Sequence, residues 1–156
     1  MGIIITVMLI LGFCLDDLPT ENKAMGYMIH KSTGLLLLMM VAIRLIMRAT
    51  SKYPTLPEST PKIIGYIAKL NLLGLYLIMI LMPLSGLLMS TLSGRPVPFY
   101  GLFQLESLGN NPTIAEMSYN FHGIGGYIFI VLIIAHVLGG LFHHFVLKDD
   151  VLRRML

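Results

Sequence analysis

Long apolar stretches constrain the fold of this 156-residue chain more than any other feature of its sequence. They cover approximately residues 1–15, 25–49, 63–92 and 114–147. A helix crosses about 30 Å of hydrocarbon with roughly 20 apolar residues, because each residue adds about 1.5 Å. The last three stretches reach that length, whereas residues 1–15 extend over only about 22 Å. The pattern predicts an all-α transmembrane four-helix bundle whose first helix is short.

The composition excludes several classes of protein. Only 12% of the residues are charged and 56% are hydrophobic, whereas soluble domains have about 25% charged residues. This rules out a cytosolic enzyme and a disordered protein. The single cysteine, Cys14, rules out an internal disulfide framework. The length fits one domain, residues 1–156, and nothing in the sequence indicates nucleic acid as a partner.

The short first stretch has three interpretations. A signal peptide is disfavoured, because residues 1–15 have neither a cationic leader nor a small-residue cleavage site. A short helix can be accommodated by tilting or by local thinning of the bilayer. The stretch can also be the C-terminal part of a longer helix whose beginning is absent from this sequence.

The connections between the stretches differ in character. Residues 16–23 form a short polar loop, and residues 49–62 contain three prolines, which prevent a helix from continuing. Residues 93–113 are long and partly apolar, so we expect them to lie against the membrane face. Pro83 lies inside the third stretch and predicts a kink, which membrane helices tolerate.

Lysine and arginine are distributed unequally between the two ends of the stretches. Eight lie beside the second connection or in the C-terminal tail, and three lie on the other side. The eight are Arg44, Arg48, Lys52, Lys62, Lys69, Lys148, Arg153 and Arg154, and the three are Lys23, Lys31 and Arg95. Because cytoplasmic loops are enriched in these cations, the second connection and the C-terminus are predicted to be cytoplasmic. With four crossings, the N-terminus is cytoplasmic too.

Histidines are the candidate metal ligands within the apolar stretches. His30 lies near the outer end of the second stretch, and the fourth contains His122 and His136. These two are fourteen residues apart, about 40° short of four full turns, so both point from one helix face about 21 Å apart. This spacing suits two stacked cofactors better than one mononuclear metal. His30 and His122 are predicted to lie at a similar depth below the outer membrane surface, so their side chains can face each other.

Two neutral imidazoles on opposite sides of an iron porphyrin form a low-spin electron-transfer centre, and bundle cores hold such cofactors. Glycines near the fourth-stretch histidines would let a flat macrocycle approach the backbone, although small residues also line packed membrane helices. These glycines are Gly123, Gly125, Gly126, Gly139 and Gly140. His30 and His122 can alternatively be hydrogen-bonded polar residues of the bundle.

His143 and His144 lie at the predicted cytoplasmic boundary. We expect both to be hydrated interfacial histidines. The alternative is a role beside a quinone or a haem propionate.

Several short segments carry a family resemblance. They are MIHKSTG and RLIMR in the second stretch, KYPTLP in the connection, MPLSG in the third stretch, FHGIGGY at the start of the fourth, and AHVLGGLFHHFVLKDDVLRRML at the end. The last segment is the most specific. By these segments, the chain resembles the bacterial cytochrome b561 family of four-helix, di-haem membrane proteins over essentially its whole length.

The resemblance implies axial ligands residue by residue. His30 matches the ligand in the second helix and His122 the ligand that opens the fourth, so this pair would hold the outer b-type haem. His136 matches the fourth-helix ligand of the inner haem, whose partner in the family lies near the start of the first helix. This sequence has no histidine there. One haem is therefore expected, and the missing ligand and the short first stretch together suggest an absent N-terminal part.

The resemblance also implies a function, namely electron transfer between the outer surface and the quinone pool of a bacterial inner membrane. One branch of the family resembles superoxide:ubiquinone oxidoreductases. Another branch anchors a hydrogenase or dehydrogenase, which would be a redox partner protein, and a haem-deficient degenerate copy is a third alternative. Lys31 and Arg95 are candidates to pair with the anionic propionates of the outer haem, or to contact lipid headgroups.

Overall fold

The computed structural model describes residues 1–51, 57 and 60–153 of the chain. Its four main helices are α1 (Gly2–Cys14), α2 (Thr20–Thr50), α3 (Lys62–Thr91) and α4 (Pro112–Phe142). Among the described residues, three helical segments are long and apolar enough to cross a membrane: α2, α3, and α4 with its extension to Leu147. With α1 as a short N-terminal helix, the prediction of an all-α membrane bundle is confirmed.

The helix α2 begins earlier than the sequence predicts. Residues 16–23 were expected to form a polar loop, but a 3₁₀ turn covers Leu15–Asp17 and α2 starts at Thr20. The carbonyl of Pro19 accepts hydrogen bonds from the backbone N–H groups of Asn22 and Lys23, which closes the first turn. Polar residues in this turn belong to the helix because a helix end that extends beyond the hydrocarbon needs no apolar side chains.

The proline-rich second connection separates α2, which ends at Thr50, from α3, which begins at Lys62. Residues 52–56 and 58–59 lie outside the described residues, and with them Lys52 and most of the KYPTLP segment. Arg154 in the tail also lies outside them. Pro83 lies within α3, which continues on both sides of it.

A small β-hairpin, which the sequence analysis did not predict, lies in the connection between α3 and α4. Strands β1 (Val97–Phe99) and β2 (Phe103–Leu105) pair antiparallel, and Gly101 has a positive φ of 76° in the turn between them. The fully buried Ser32 of α2 holds the hairpin: its hydroxyl donates to the carbonyl of Pro98 and accepts from the N–H of Tyr100. The hairpin therefore packs against the N-terminal half of α2.

The bundle core is formed by one cluster of buried apolar side chains from all four helices. Its members are Ile5, Met8, Leu37, Leu75, Ile78, Met82 and Phe129. The α3–α4 pair has the most extensive contact. A Cβ on Gly125 would lie 2.6 Å from the sulfur of Met82, so a side chain here would force the Met82 side chain to move.

Candidate functional site

His30 and His122 lie at the same level of the bundle, although they are far apart in sequence. Each lies about three turns into its helix, α2 or α4. Their ring centroids are 6.2 Å apart, with the ring planes at 77° to each other. Both side chains are partly buried. The structure therefore brings together the two histidines that the sequence analysis paired.

The ring of His122 is fixed by hydrogen bonds to α3. Its Nδ1 lies 3.0 Å from the carbonyl oxygen of Met82 and 3.0 Å from the hydroxyl oxygen of Ser85. A carbonyl oxygen can only accept, so Nδ1 is the nitrogen that carries the proton. In a neutral ring this leaves the lone pair on Nε2, the state that a metal ligand requires.

Two glycines let neighbouring helices approach the histidine rings. A Cβ on Gly12 of α1 would lie 3.0 Å from Cε1 of His30, and a Cβ on Gly86 of α3 would lie 3.2 Å from Cε1 of His122. The Nδ1 of His30 differs from that of His122, because it is buried without a hydrogen-bond partner among the described residues. Both rings are therefore closely enclosed, but only one has its Nδ1 satisfied.

A large cavity of about 1250 Å³ adjoins both rings. Its walls come from all four helices and include Gly12, Gly34, Gly123 and Gly126, and its deeper lining is apolar. Pockets for drug-sized ligands measure about 300–1,000 Å³, so this volume can accommodate a macrocycle. A Cβ on Gly34 or Gly123 would meet nothing within 4 Å, which shows that these two glycines border open space rather than a packed neighbour.

One end of the cavity, called its mouth below, is lined by polar side chains that include two cations. Lys31 Nζ donates to the hydroxyl of Ser90 over 2.7 Å, and Arg95 also lines the mouth. Across the mouth, the hydroxyl of Tyr27 donates to Asp16 over 2.7 Å. Within the described ranges, no salt bridge involves Lys31 or Arg95. Asp16 and Glu116 also line the cavity, so its lining has two cationic and two anionic side chains, and Lys31 and Arg95 are the ones that could pair with an anionic group.

His136 lies apart from this site. It is half-buried on α4 and is not among the residues that line the large cavity. Arg44 of α2 is close enough for its charge to act on His136. The helix α1 contains no histidine, so His136 has no facing imidazole from that helix.

The prediction that His143 is a hydrated interfacial residue is wrong. A π-helical turn, His143–Leu147, ends α4 and turns His143 inward, so that only 4% of its surface is exposed. Its Nδ1 pairs with Asp149 Oδ2 at 2.7 Å. Lys148 between them has a left-handed backbone, with φ of 52°, which brings Asp149 back towards the helix. His144 is only partly buried.

The site fits a b-type haem on this chain's own features. Two imidazoles face each other beside a cavity of sufficient volume, and His122 carries its proton on Nδ1, which leaves Nε2 available to a metal. A helical membrane bundle with such a pair is typical of membrane cytochromes that carry electrons through haem.

Comparison with known proteins identifies the family. The family model described as prokaryotic cytochrome b561 matches residues 1–156, and the chain belongs to this family. It is 35% identical to "Cytochrome b561 homolog 2" of Escherichia coli K12 over 130 residues, covering 82% of this chain and 69% of that protein. It is 30% identical to "Probable superoxide oxidase CybB" of Yersinia pestis over 141 residues, covering 88% and 78%.

A third relative, "Cytochrome b561 homolog 1" of Escherichia coli K12, is 28% identical over 127 residues, covering 81% of this chain and 72% of the relative. Family membership implies b-type haem binding and electron transport in a membrane. The coarse function inferred from the sequence is thereby confirmed.

Some residues of the site were not identified from the sequence. Ser85 and the carbonyl of Met82 hold His122, and Gly12 borders His30. The MPLSG segment contained a partial signal, because a serine hydroxyl within an apolar helix needs a hydrogen-bond partner. Gly12 gave no such signal, since its role depends only on how α1 packs on α2.

Proposed function

We propose that this protein is a b-haem cytochrome that moves electrons between the outer membrane surface and the quinone pool, with His30 and His122 as the axial ligands of its outer haem. The observation that supports this most is the 6.2 Å between the two ring centroids. Imidazole nitrogens bind first-row metals at about 2 Å, so two rings on opposite sides of one ion have centroids about 6 Å apart. The observed separation agrees with that distance.

When bound, the haem supplies a one-electron couple whose potential depends on its axial ligands and surroundings. The chain supplies the rest. Met82 and Ser85 orient the ring of His122. The core side chains around Leu37 and Phe129 keep water from the site, and Lys31 and Arg95 at the mouth favour the propionates or another anion.

The charge distribution supports an orientation for this electron path. Arg44, Arg48 and Lys62 lie at the end of the bundle opposite to the hairpin and the mouth of the cavity. Because cytoplasmic ends are enriched in such cations, we place the C-terminus in the cytoplasm and the mouth at the outer surface of the bacterial inner membrane. Electrons would thus enter or leave on the side of the mouth, where Lys31 and Arg95 lie, and quinone would react nearer the cytoplasmic end.

Within this function, superoxide:ubiquinone oxidoreduction is the activity that we favour. Superoxide is a small anion with which Lys31 and Arg95 could pair at the mouth, in a lining that also contains Asp16 and Glu116. Two superoxide ions give two molecules of oxygen and two electrons, which with two protons convert one ubiquinone to ubiquinol. The similarity to a probable superoxide oxidase agrees with this choice.

A second candidate is a membrane subunit that anchors a dehydrogenase or hydrogenase. The observation in its favour is the exposed apolar surface of the outer hairpin, where Leu102 is 79% and Phe103 is 50% exposed. This surface is small, and a membrane-facing position explains it equally well. The stand-alone oxidoreductase is therefore the preferred proposal.

We propose one haem per chain. His136 has Arg44 near it but no imidazole opposite to it on α1. An inner haem held by His136 would need a second ligand such as water, which would make it high-spin and easily lost.

The experiment is a visible spectrum of the purified protein, followed by a quinone assay. A reducible, low-spin b-type spectrum is expected, together with ubiquinone reduction driven by a superoxide source and abolished by superoxide dismutase. A protein without reducible haem would contradict the cytochrome proposal and leave the degenerate copy. Haem without superoxide-driven quinone reduction would contradict only the oxidoreductase activity.

A further inference from the structure

The two facing histidines differ in what holds their second ring nitrogen. His122 Nδ1 has two partners on α3, the carbonyl of Met82 and the hydroxyl of Ser85, each at 3.0 Å. His30 Nδ1 is buried and has no partner in the part of the chain that the structure describes. A ligating histidine ordinarily donates this N–H to a carboxylate, a carbonyl or water, which raises its basicity. The two rings are therefore unequal donors.

The contacts of Ser85 assign its hydroxyl a defined role. Ser85 is buried, and its hydroxyl donates to the carbonyl of Met82 over 2.8 Å. With its proton used in that bond, its oxygen can only accept from the Nδ1–H of His122. The proton on Nδ1 is therefore shared between two acceptors, which lie on either side of Pro83 in one turn of α3.

A glycine in α3 leaves room for the ring of His122 at this position. Gly86, next to Ser85, faces the same edge of the ring, and a Cβ there would lie 3.2 Å from Cε1 and 3.5 Å from Nδ1 of His122. Any larger residue would displace the ring from its two acceptors. The Nδ1 edge of His122 is thus in contact with α3, and the ring cannot rotate without losing both bonds.

We propose that Ser85 is a positioning residue that, with the carbonyl of Met82, makes His122 the stronger axial ligand and lowers the potential of the outer haem. This inference rests on the proposed ligation by His30 and His122. Hydrogen bonds from Nδ1–H increase the electron density that Nε2 gives to the iron, and this stabilises the oxidised, more positive state. His30, without such a bond, is the weaker ligand.

The first test compares three single variants in a redox titration of the purified haem protein. Ser85→Ala removes one acceptor, and Ser85→Cys replaces it with a group of similar size that hydrogen-bonds weakly. Ser118→Ala is the matched control, since Ser118 is also buried and lies one turn before His122 but has no hydrogen bond to a histidine. All three should retain low-spin haem, because the Met82 carbonyl remains in place.

The expected order of potentials is wild type lowest, Ser85→Cys higher and Ser85→Ala highest, with Ser118→Ala equal to wild type. Loss of an outer-sphere partner changes a metal site by about 10–100-fold, and one of two acceptors is lost here. We therefore expect a shift of about tenfold in the reduction equilibrium, which is about 59 mV for one electron. The electron paramagnetic resonance signal of the ferric haem should shift in the same variants.

Equal potentials in wild type and both Ser85 variants would overturn the inference, and so would an equal shift in Ser118→Ala. A wild-type protein that lacks low-spin haem would instead refute the proposed function, so the two failures are distinguishable.

The second test concerns the ligands themselves. His30→Gly should keep haem bound through His122 as a five-coordinate species that added imidazole returns to low spin. His122→Gly should lose at least about tenfold more haem under the same purification, because the remaining ring lacks an outer-sphere partner. Equal haem retention in the two variants would overturn the assignment of the stronger ligand.

Discussion

The half of the bundle on the side of the β-hairpin, which we propose to be the outer half, and the opposite half, proposed to be the inner half, each contain histidines but use them differently. In the outer half, α2 and α4 each contribute one ring to the same cavity, and His30 and His122 face each other over 6.2 Å. In the inner half, His136 has no histidine opposite to it on α1, and His143 is paired with Asp149, only six residues further along the chain. The first pair joins two segments that are distant in sequence beside a cavity, whereas the partner of His143 lies on the turn that follows it.

The largest expected effect separates the two halves directly. Replacing His30 or His122 with alanine should abolish the bis-imidazole spectrum, because each supplies one of two axial nitrogens. Replacing His136 with alanine should leave that spectrum and a haem content of about one per chain unchanged. Spectra and pyridine haemochrome assays of the three purified variants measure this. Two low-spin haems in the unaltered chain would contradict the comparison.

Enlarging a glycine beside His122 should reduce haem binding almost as strongly as replacing the histidine itself. Gly86→Leu places atoms where the ring of His122 now lies, since even a Cβ would be 3.2 Å from it. We expect most of the low-spin haem to be lost. Gly139→Leu is the matched control, because a Cβ there meets nothing within 4 Å. If both variants bind haem normally, the enclosure of His122 has no functional importance.

In the inner half, stability rather than haem should respond to mutation. Asp149→Asn weakens the buried hydrogen bond with His143 but keeps an oxygen for the N–H of Val151. Loss of a hydrogen bond to a charged group costs about 1.5–3 kcal/mol, so the detergent-solubilised protein should unfold at a lower temperature. The haem spectrum should not change. A changed spectrum with unchanged thermal stability would indicate that His143 belongs to a redox site.

The smallest effect is expected at the mouth of the outer cavity. A positive charge stabilises the reduced haem and any propionate beside it, and Lys31→Met and Arg95→Gln each remove one such charge. The reduction potential of the haem should therefore fall in both variants. The fall should correspond to no more than about 1 kcal/mol of free energy, because partly hydrated charges interact weakly. A redox titration measures this, with Lys23→Gln as a control further from the mouth. Unchanged potentials would favour lipid headgroups as the partners of these cations.

Much of the fold could be predicted from the sequence because the bilayer imposes a simple rule. A membrane-crossing helix must be long and apolar, so α3 and α4 begin within two residues of the predicted positions. The rule does not apply outside the hydrocarbon. There the start of α2 at Thr20 and the β-hairpin after α3 were missed, since both depend on hydrogen bonds to Pro19 and Ser32 rather than on hydropathy.

The sequence by itself determined that the chain is an all-α membrane bundle with histidines at three depths, because length, hydropathy and helical spacing are local properties. Only the tertiary structure decided how those histidines are held. His122 is oriented by Met82 and Ser85, which lie about forty residues away on α3, and His143 turns inward through a π-helical turn. Such contacts depend on helix rotation and close approach, which residues distant in sequence set together when the helices pack.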